Sequence, residues 1–156
     1  MKALITLDYD PSAFKVAETG FSLAKTMGAE ITLLHVTSDP IYYTMVDHIT
    51  IMGFSSQMRN SDEIPQEKME LKKLSQQFLD KTKLQLGDAG VQTLLKEGDC
   101  AQSILDIAND MKADVIIMGS HSNRGLKNKT MGSVTEKVLI NTTIPVLIIP
   151  TKKHSL

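Results

Sequence analysis

Residues 114–133 read DVIIMGSHSNRGLKNKTMGS and contain a strand pattern, a loop with glycines and the start of a helix. A continuous apolar run ends at Met118, a glycine follows at once, and a helix is predicted to start near Ser133. Unbroken β-branched runs are typical of strands that are covered on both faces in a parallel sheet. The loop between strand and helix is about twice the usual 2–6 residues. We expect it at the carboxyl edge of the sheet, where open α/β folds bind ligands.

Four other short apolar runs are dispersed along the chain, and each is predicted to be a strand. They cover residues 3–7, 31–36, 91–95 and 145–150. Helical patterns separate them, over residues 12–27, over about 66–86, after Asp99 and from about Ser133. Strands that alternate with helices predict right-handed βαβ units, and therefore an α/β fold with an open, doubly wound parallel sheet and helices on both faces.

The first two predicted helices carry apolar stripes of different quality. In the first, small and apolar residues recur at spacings of three and four, at Ala13, Val16, Ala17, Gly20, Phe21 and Ala24. Asp10 and Ser12 mark its start, and Gly28 marks its end. The second helix has a looser stripe, at Met69, Leu71, Leu74, Phe78 and Leu84. Such stripes predict which face of each helix packs on the sheet.

The last two helices are shorter and have clear start signals. Asp99 is predicted to be the N-cap of the third helix, whose apolar residues are Ile104, Leu105, Ala108 and Met111. The final helix carries Val134, Val138 and Leu139. Residues 38–64 do not follow the alternation, because they mix aromatic, Met and polar residues without a period. A connection this long is predicted to be a flexible surface insertion, with a functional lid as the alternative.

Composition limits the classes of function. The 156 residues suit a single domain over 1–156, with 42% hydrophobic and 22% charged residues. The net charge of −1 argues against a nucleic-acid surface, which needs clustered excess Lys and Arg. The single cysteine, Cys100, excludes an internal disulfide and suits the cytoplasm. No run approaches the ~18 apolar residues of a membrane span, and the apolar start is too short for a signal peptide.

Although the net charge of the chain is close to zero, one loop is basic. Residues 119–135 contain Arg124, Lys127 and Lys129 and no acidic residue, which leaves a charge of −4 for the rest of the chain. A local charge of +3 suits a compact anion such as a nucleotide phosphate. Gly119 would let the backbone approach a ligand, and the helix start at Gly132 and Ser133 offers N–H groups at the positive end of the helix dipole. The alternative for Ser133 is a capping box with Glu136, which needs no ligand.

The sequence resembles the universal stress protein family over nearly all of its length. The similarity includes residues 4–8, 33–36, 114–121, 132–139 and 144–150. ATP-binding members of that family carry the motif G-x2-G-x9-G-(S/T) after the fourth strand. Gly119, Gly132 and Ser133 match this motif in register, whereas Ser122 stands where the second glycine belongs. Thr6 replaces the proline that is common before the acid of the first strand.

The resemblance implies a five-stranded Rossmann-like sheet in the order 3-2-1-4-5 and a site for ATP, with or without magnesium. In that site Asp8 faces the adenosine, Val36 flanks the adenine through its backbone, and Met118 lines the pocket. No catalytic residue and no metal ligand is predicted. The predicted nucleotide-binding residues are Thr6, Leu7, Asp8, Val36, Met118, Gly119, His121, Ser122, Arg124, Gly132, Ser133 and Val134.

The same resemblance makes the last strand a sheet edge. Its residues, Val146, Leu147, Ile148 and Ile149, are all apolar, and a bare apolar edge favours aggregation unless it is paired or covered. Pairing across a two-fold axis answers this need, so we expect a homodimer through the last strand. The protein partner that would respond to a bound nucleotide is not identifiable from the sequence.

Several residues have two interpretations. Asp8 binds the ligand or caps the first helix. His35 lies in a buried strand pattern, which favours a hydrogen-bonded structural histidine. His121 contacts a phosphate or is solvated. Cys100 follows the N-cap, so the helix dipole lowers its pKa or it is simply a small buried residue.

Three functions fit these patterns. The first is a stress-response protein in which bound ATP, or another adenine nucleotide, acts as a regulatory signal with little or no turnover. The second is a dimeric interaction scaffold without tight nucleotide binding, which Ser122 favours. The third is a slow ATPase or autophosphorylating enzyme, with His121, Ser122, Thr130 or Ser133 as the reacting group. The absence of a convincing general base favours at most weak hydrolysis.

Overall fold

The computed structural model describes residues 1–38, 63–120 and 131–151, with side chains from residue 68 onward in the second range. The strands are β1 (Lys2–Thr6), β2 (Glu30–Thr37), β3 (Gln92–Glu97), β4 (Val115–Gly119) and β5 (Val146–Ile149). The helices are α1 (Ala13–Thr26), α2 (Glu63–Leu86), α3 (Cys100–Asp110) and α4 (Ser133–Asn141). All strand pairs are parallel, and the order β3-β2-β1-β4-β5 confirms the predicted doubly wound α/β sheet.

The sheet separates two apolar cores. Alternate strand residues point to opposite faces, so Leu4 and Ile5 are both fully buried but belong to different cores. On one face Ile5 packs with residues of α1 and α2, among them Ala17 and Leu79. On the other face Leu4 packs with residues of α3 and α4, including Val138. Each fully buried Leu or Ile side chain contributes about 1.5–3 kcal/mol, so two covered faces stabilise every central strand.

Helix α1 follows its predicted pattern. Its buried residues are Ala13, Val16, Ala17, Gly20 and Ala24. Gly20 faces the sheet closely, because a Cβ atom built there would lie 3.0 Å from Cγ2 of Ile117. The helix ends as predicted at Gly28, whose φ of +66° is in the left-handed region that favours glycine. The amide of Ala29 then donates to the carbonyl of Ala24 at 2.9 Å, which closes the last turn.

Helix α2 differs from the prediction in its start and in its buried face. It begins at Glu63 and not near Gln66. Of the predicted stripe, Phe78 packs against the core, whereas the other four residues are exposed: Met69, Leu71, Leu74 and Leu84. Other residues point inward, namely Ser75, Leu79 and Thr82. A polar residue is tolerated there because the hydroxyl of Thr82 donates to the carbonyl of Phe78 at 2.8 Å. Of the predicted insertion over 38–64, residues 39–62 lie outside the described part.

Helix α4 also buries fewer apolar residues than predicted. Val138 is fully buried, whereas Leu139 is exposed. In a helix of nine residues only one narrow face can touch the sheet, and Thr135 and Val138 occupy it. Within the ranges that the structure describes, no helix combines the length and the apolar character needed to cross a membrane.

Candidate functional site

An open cleft lies at the carboxyl edge of the sheet. The ends of β1, β2 and β4 border it, together with the first residues of α1, α3 and α4. Nine of the predicted nucleotide-binding residues line it, namely Thr6, Leu7, Asp8, Val36, Met118, Gly119, Gly132, Ser133 and Val134. The other three predicted residues, His121, Ser122 and Arg124, lie outside the described part of the chain. The fold therefore brings together residues that are more than 100 positions apart.

The prediction missed several residues of the cleft wall. These are Ser12, Ala13, Val16, Leu34, Cys100, Ile104 and Thr135. A usable signal was present for Ser12 and Cys100, because a helix that follows a parallel strand starts at the carboxyl edge. Val16 and Ile104 lie one turn further along the same helices, so the same signal extends to them.

The junction of β4 and α4 presents backbone N–H groups to the cleft. The amide of Gly132 donates to the carbonyl of Ser120 at 2.8 Å, and the first amide bonded within the helix is that of Glu136, to the carbonyl of Gly132 at 3.0 Å. The amides of Ser133 and Val134 thus precede the hydrogen-bonded turns. They lie at the positive end of the α4 dipole.

The predicted capping box at Ser133 is wrong. The N-cap is Gly132, with φ −65° and ψ 150°, and Ser133 is the first helical residue. A side chain in the first helical position does not reach back to its own turn as an N-cap side chain does. The hydroxyl of Ser133 therefore lines the cleft without a capping role.

The start of α1 is held by an acidic side chain, that of Asp10. The carboxylate oxygen Oδ1 of Asp10 accepts hydrogen bonds from the amide of Ser12 at 2.7 Å and from its hydroxyl at 2.8 Å. Asp10 therefore organises the turn that leads into α1. Asp8 is exposed, and it supplies a negative charge to the cleft wall.

Helix α3 begins as predicted. Asp99 is its N-cap, and the carboxylate accepts a hydrogen bond of 2.9 Å from the amide of Gln102. Cys100 follows in the first helical position and lines the cleft. Burial, reinforced by the negative charges of Asp8 and Asp99, raises the pKa of the Cys100 thiol to about 12. The interpretation with a lowered pKa is wrong, and the thiol is protonated at neutral pH.

The end of β2 confirms the structural interpretation of His35. Its side chain is buried, and ring atom Nδ1 lies 2.6 Å from the carbonyl oxygen of Leu7. A carbonyl oxygen can only accept, so Nδ1 carries the hydrogen in this contact. The next residue, Val36, lines the cleft.

The described residues contain no group of three His, Cys, Asp or Glu side chains that could hold a metal ion. In the part of the cleft that the structure describes, Asp8 is the acidic residue of the wall.

Comparison with known proteins identifies the family. The model of the Universal stress protein family matches residues 1–150. The chain is 31% identical to universal stress protein YxiE of Bacillus subtilis, covering 95% of this chain and 97% of the relative. It is 30% identical to universal stress protein MJ0577 of Methanocaldococcus jannaschii, covering 97% and 95%.

Solved structures share the fold. The structure of MJ0577 superposes with a TM-score of 0.73 at 27% identity, covering 97% of both chains. A universal stress protein in complex with cAMP has a TM-score of 0.59 at 15% identity, covering 97% and 98%. The Archaeoglobus fulgidus protein in complex with dAMP has a TM-score of 0.53 at 16% identity, covering 96% and 97%. The last two likenesses concern the fold alone. With its sheet order, its cleft and these relatives taken together, the chain belongs to the universal stress protein family.

Proposed function

We propose that this protein binds an adenine nucleotide, ATP in the first place, as a regulatory signal with little or no turnover. The layout of the cleft carries the proposal. Three cleft residues lie at or near the ends of neighbouring strands: Val36 just before the end of β2, Asp8 just after the end of β1, and Gly119 at the end of β4. Neighbouring strands are about 4.8 Å apart, so Val36 and Gly119 are separated by about 10 Å with Asp8 between them. In a nucleotide the base, the sugar and the phosphate chain follow one another, and they would lie at Val36, Asp8 and Gly119 in that order.

The phosphates would lie at the β4–α4 end. Gly119 has no Cβ to obstruct them, and the amides of Ser133 and Val134 supply donors at a helix N-terminus. Anions bind such N-termini through these N–H groups and the positive end of the dipole.

The base would lie at Val36. One main-chain residue offers an N–H donor beside a C=O acceptor, and adenine presents the complementary pair, acceptor N1 beside donor N6. Guanine presents the reverse pair on the same edge, O6 as acceptor and N1–H as donor. Backbone recognition at Val36 therefore favours adenine over guanine. The cAMP and dAMP complexes of proteins with this fold support the same class of ligand.

Titration calorimetry with different purine triphosphates tests the proposal. We expect ATP to bind and GTP and ITP to bind at least about tenfold more weakly, because mismatching a hydrogen-bonded pair costs about 1–3 kcal/mol. ITP is the matched control, since it has the reversed edge of guanine without the 2-amino group. Equal affinity for ATP and ITP would exclude recognition by the Val36 backbone.

A variant at the start of α4 tests where the phosphates bind. Ser133→Pro removes one N–H donor at a position where proline suits a helix, and Gly132 before it already has the extended backbone that proline requires. We expect ATP affinity to fall about tenfold while adenosine affinity stays unchanged. Ser133→Ala, which keeps the N–H, should bind ATP nearly as the wild type does.

The second candidate is an interaction scaffold without tight nucleotide binding, and Ser122 in place of the motif glycine favours it. Its signature would be a dimer that binds no adenine nucleotide even with saturating magnesium. Nucleotide released from the purified, denatured protein would exclude it. For either function we propose the cytoplasm as the site of action, in keeping with the single cysteine.

Both candidates include a homodimer through β5. The amide of Ser120 donates to the carbonyl of Ile149, which faces β4, so alternation directs the main-chain groups of Val146 and Ile148 away from the sheet. A second copy could pair there. Ile148→Pro removes an outward donor, and we expect sedimentation to show a monomer, whereas Ile148→Val should remain dimeric. A monomeric wild type at micromolar concentration would overturn the dimer.

A further inference from the structure

We infer that His35 is a positioning residue of the nucleotide site. Its imidazole holds the carbonyl of Leu7 away from the amide of Val36, and it thereby keeps the main chain of Val36 open to a base. The inference rests on the proposed function for its ligand, but its structural part concerns the protein without nucleotide.

The interrupted ladder between β1 and β2 is the first observation. The amide of Leu7 donates to the carbonyl of Leu34 at 2.8 Å. In a regular parallel ladder the next hydrogen bond would join the carbonyl of Leu7 to the amide of Val36. The Leu7 carbonyl instead accepts from Nδ1 of His35 at 2.6 Å. Among the described residues, the amide of Val36 makes no hydrogen bond to the carbonyl of Leu7, the first residue after β1.

The direction of Val36 is the second observation. The carbonyl of Thr37 accepts from the amide of Gly98 at 2.9 Å, so Thr37 faces β3. Because main-chain groups alternate in direction along a strand, Val36 faces the side of β1. The pairing of β1 with β2 ends at Thr6, opposite Leu34. The donor and the acceptor of Val36 therefore extend beyond the last rung, into the wall of the cleft.

The third observation is that the His35 ring is held in place. The residue is 6% exposed, and Phe78 of α2 meets the ring edge to face, with centroids 5.6 Å apart. Tyr9 packs on the same Phe78 ring at 5.2 Å. A buried ring that is packed against Phe78 in this way has few alternative rotamers. The hydrogen bond to Leu7 is thus a fixed part of the site.

The consequence concerns a variant that lacks the donor. A buried carbonyl without a hydrogen bond is unfavourable, so we expect the carbonyl of Leu7 to bond another donor in this variant. In a regular parallel ladder that donor is the amide of Val36. The ladder would then gain one rung. The donor that adenine N1 requires would be occupied before any nucleotide arrived.

The test compares His35→Leu with His35→Asn. Leucine fills similar space without a donor, whereas the amide nitrogen of asparagine lies near the position of Nδ1 and keeps the donor. In the protein without nucleotide, we expect hydrogen exchange of the Val36 amide to slow at least tenfold in His35→Leu and to stay within about threefold of wild type in His35→Asn. ATP affinity should fall about tenfold in the first variant and recover in the second.

Each outcome decides the matter. Unchanged exchange at Val36 and unchanged ATP affinity in His35→Leu would overturn the inference, and so would an equal loss in His35→Asn. If His35→Leu does not fold, the wild type still decides, because the Val36 amide should exchange much faster than that of Leu34 inside the ladder. Equal protection of the two amides would refute the inference. A wild type that binds no adenine nucleotide refutes the proposed function instead, and the exchange rates remain a test of His35.

Discussion

The hydroxyl of Thr135 donates a hydrogen bond of 3.0 Å to the carbonyl oxygen of Gly119. This bond joins the first turn of α4 directly to the end of β4. It therefore sets the distance between the glycine and the helix N-terminus that we propose to hold the phosphates.

Thr135→Val tests that connection. Thr135 is 5% exposed, and valine keeps its shape but leaves the Gly119 carbonyl without this donor. We expect the free energy of unfolding to fall by about 1–2 kcal/mol, measured by urea denaturation. Thr135→Ser retains the hydroxyl, and its free energy of unfolding should fall clearly less than that of Thr135→Val. If both variants lose the same amount, the missing methyl group and not the hydrogen bond is responsible.

The N-cap of α3 should contribute measurably to stability. Asp99→Ala removes the acceptor of the Gln102 amide, and we expect a loss of about 1 kcal/mol in thermal or urea unfolding. Asp99→Asn is the matched control, because asparagine caps helices about as well as aspartate. If Asp99→Ala is as stable as the wild type, water replaces the cap with no loss of unfolding free energy.

The Cys100 thiol should be unreactive at neutral pH. Since its pKa is raised to about 12 in the folded protein, alkylation by iodoacetamide should still accelerate steeply between pH 10 and pH 11, where an ordinary thiol is close to its plateau. Unfolding in urea should restore ordinary reactivity. A plateau near pH 10 in the folded protein would contradict the raised pKa.

The same shift has a consequence for stability. Because its pKa is raised on folding, the Cys100 thiol stays protonated to a higher pH in the folded state than in the unfolded state. Its contribution to the free energy of unfolding is therefore complete below the ordinary pKa of 9.0 and is lost as pH rises toward 12. We expect wild type to lose stability between pH 9 and pH 11 more steeply than Cys100→Ala, in urea unfolding at each pH. Parallel curves for the two proteins would disagree with this sign.

The end of α1 offers a backbone test. Gly28 has a φ of +66° and nothing within 4 Å of a built Cβ, so Gly28→Ala adds strain without a clash. We expect it to lower the free energy of unfolding by about 1–2 kcal/mol. Gly28→Asn should lose less, because asparagine tolerates this conformation better than alanine. Equal losses in the two variants would point to a cause other than the left-handed backbone.

Local patterns were sufficient for most of the elements. The strands, the buried face of α1, Gly28 as its end and Asp99 as an N-cap were all predictable, because each depends on residues within a few positions of one another. Strand order and the nine residues at the cleft depended on the family resemblance as well, since periodicity alone does not order strands.

Other features depended on contacts between distant segments. The buried face of α2 holds Ser75 and Thr82 and exposes Met69, because the sheet and α1 select that face and hydrogen bonds within the helix satisfy the hydroxyl of Thr82. Gly132 replaced Ser133 as the N-cap, because the amide of Gly132 is bonded to Ser120 and this sets where the helix begins.

The alternating α/β chain with a glycine-bearing loop at the carboxyl edge was predictable from the residues alone, because hydrophobic period, turn residues and caps are local. The raised pKa of the Cys100 thiol, and the contact of the His35 ring with the carbonyl of Leu7, were settled by tertiary contacts. Both depend on burial and on hydrogen bonds between residues brought together by strand pairing, and no local pattern encodes those.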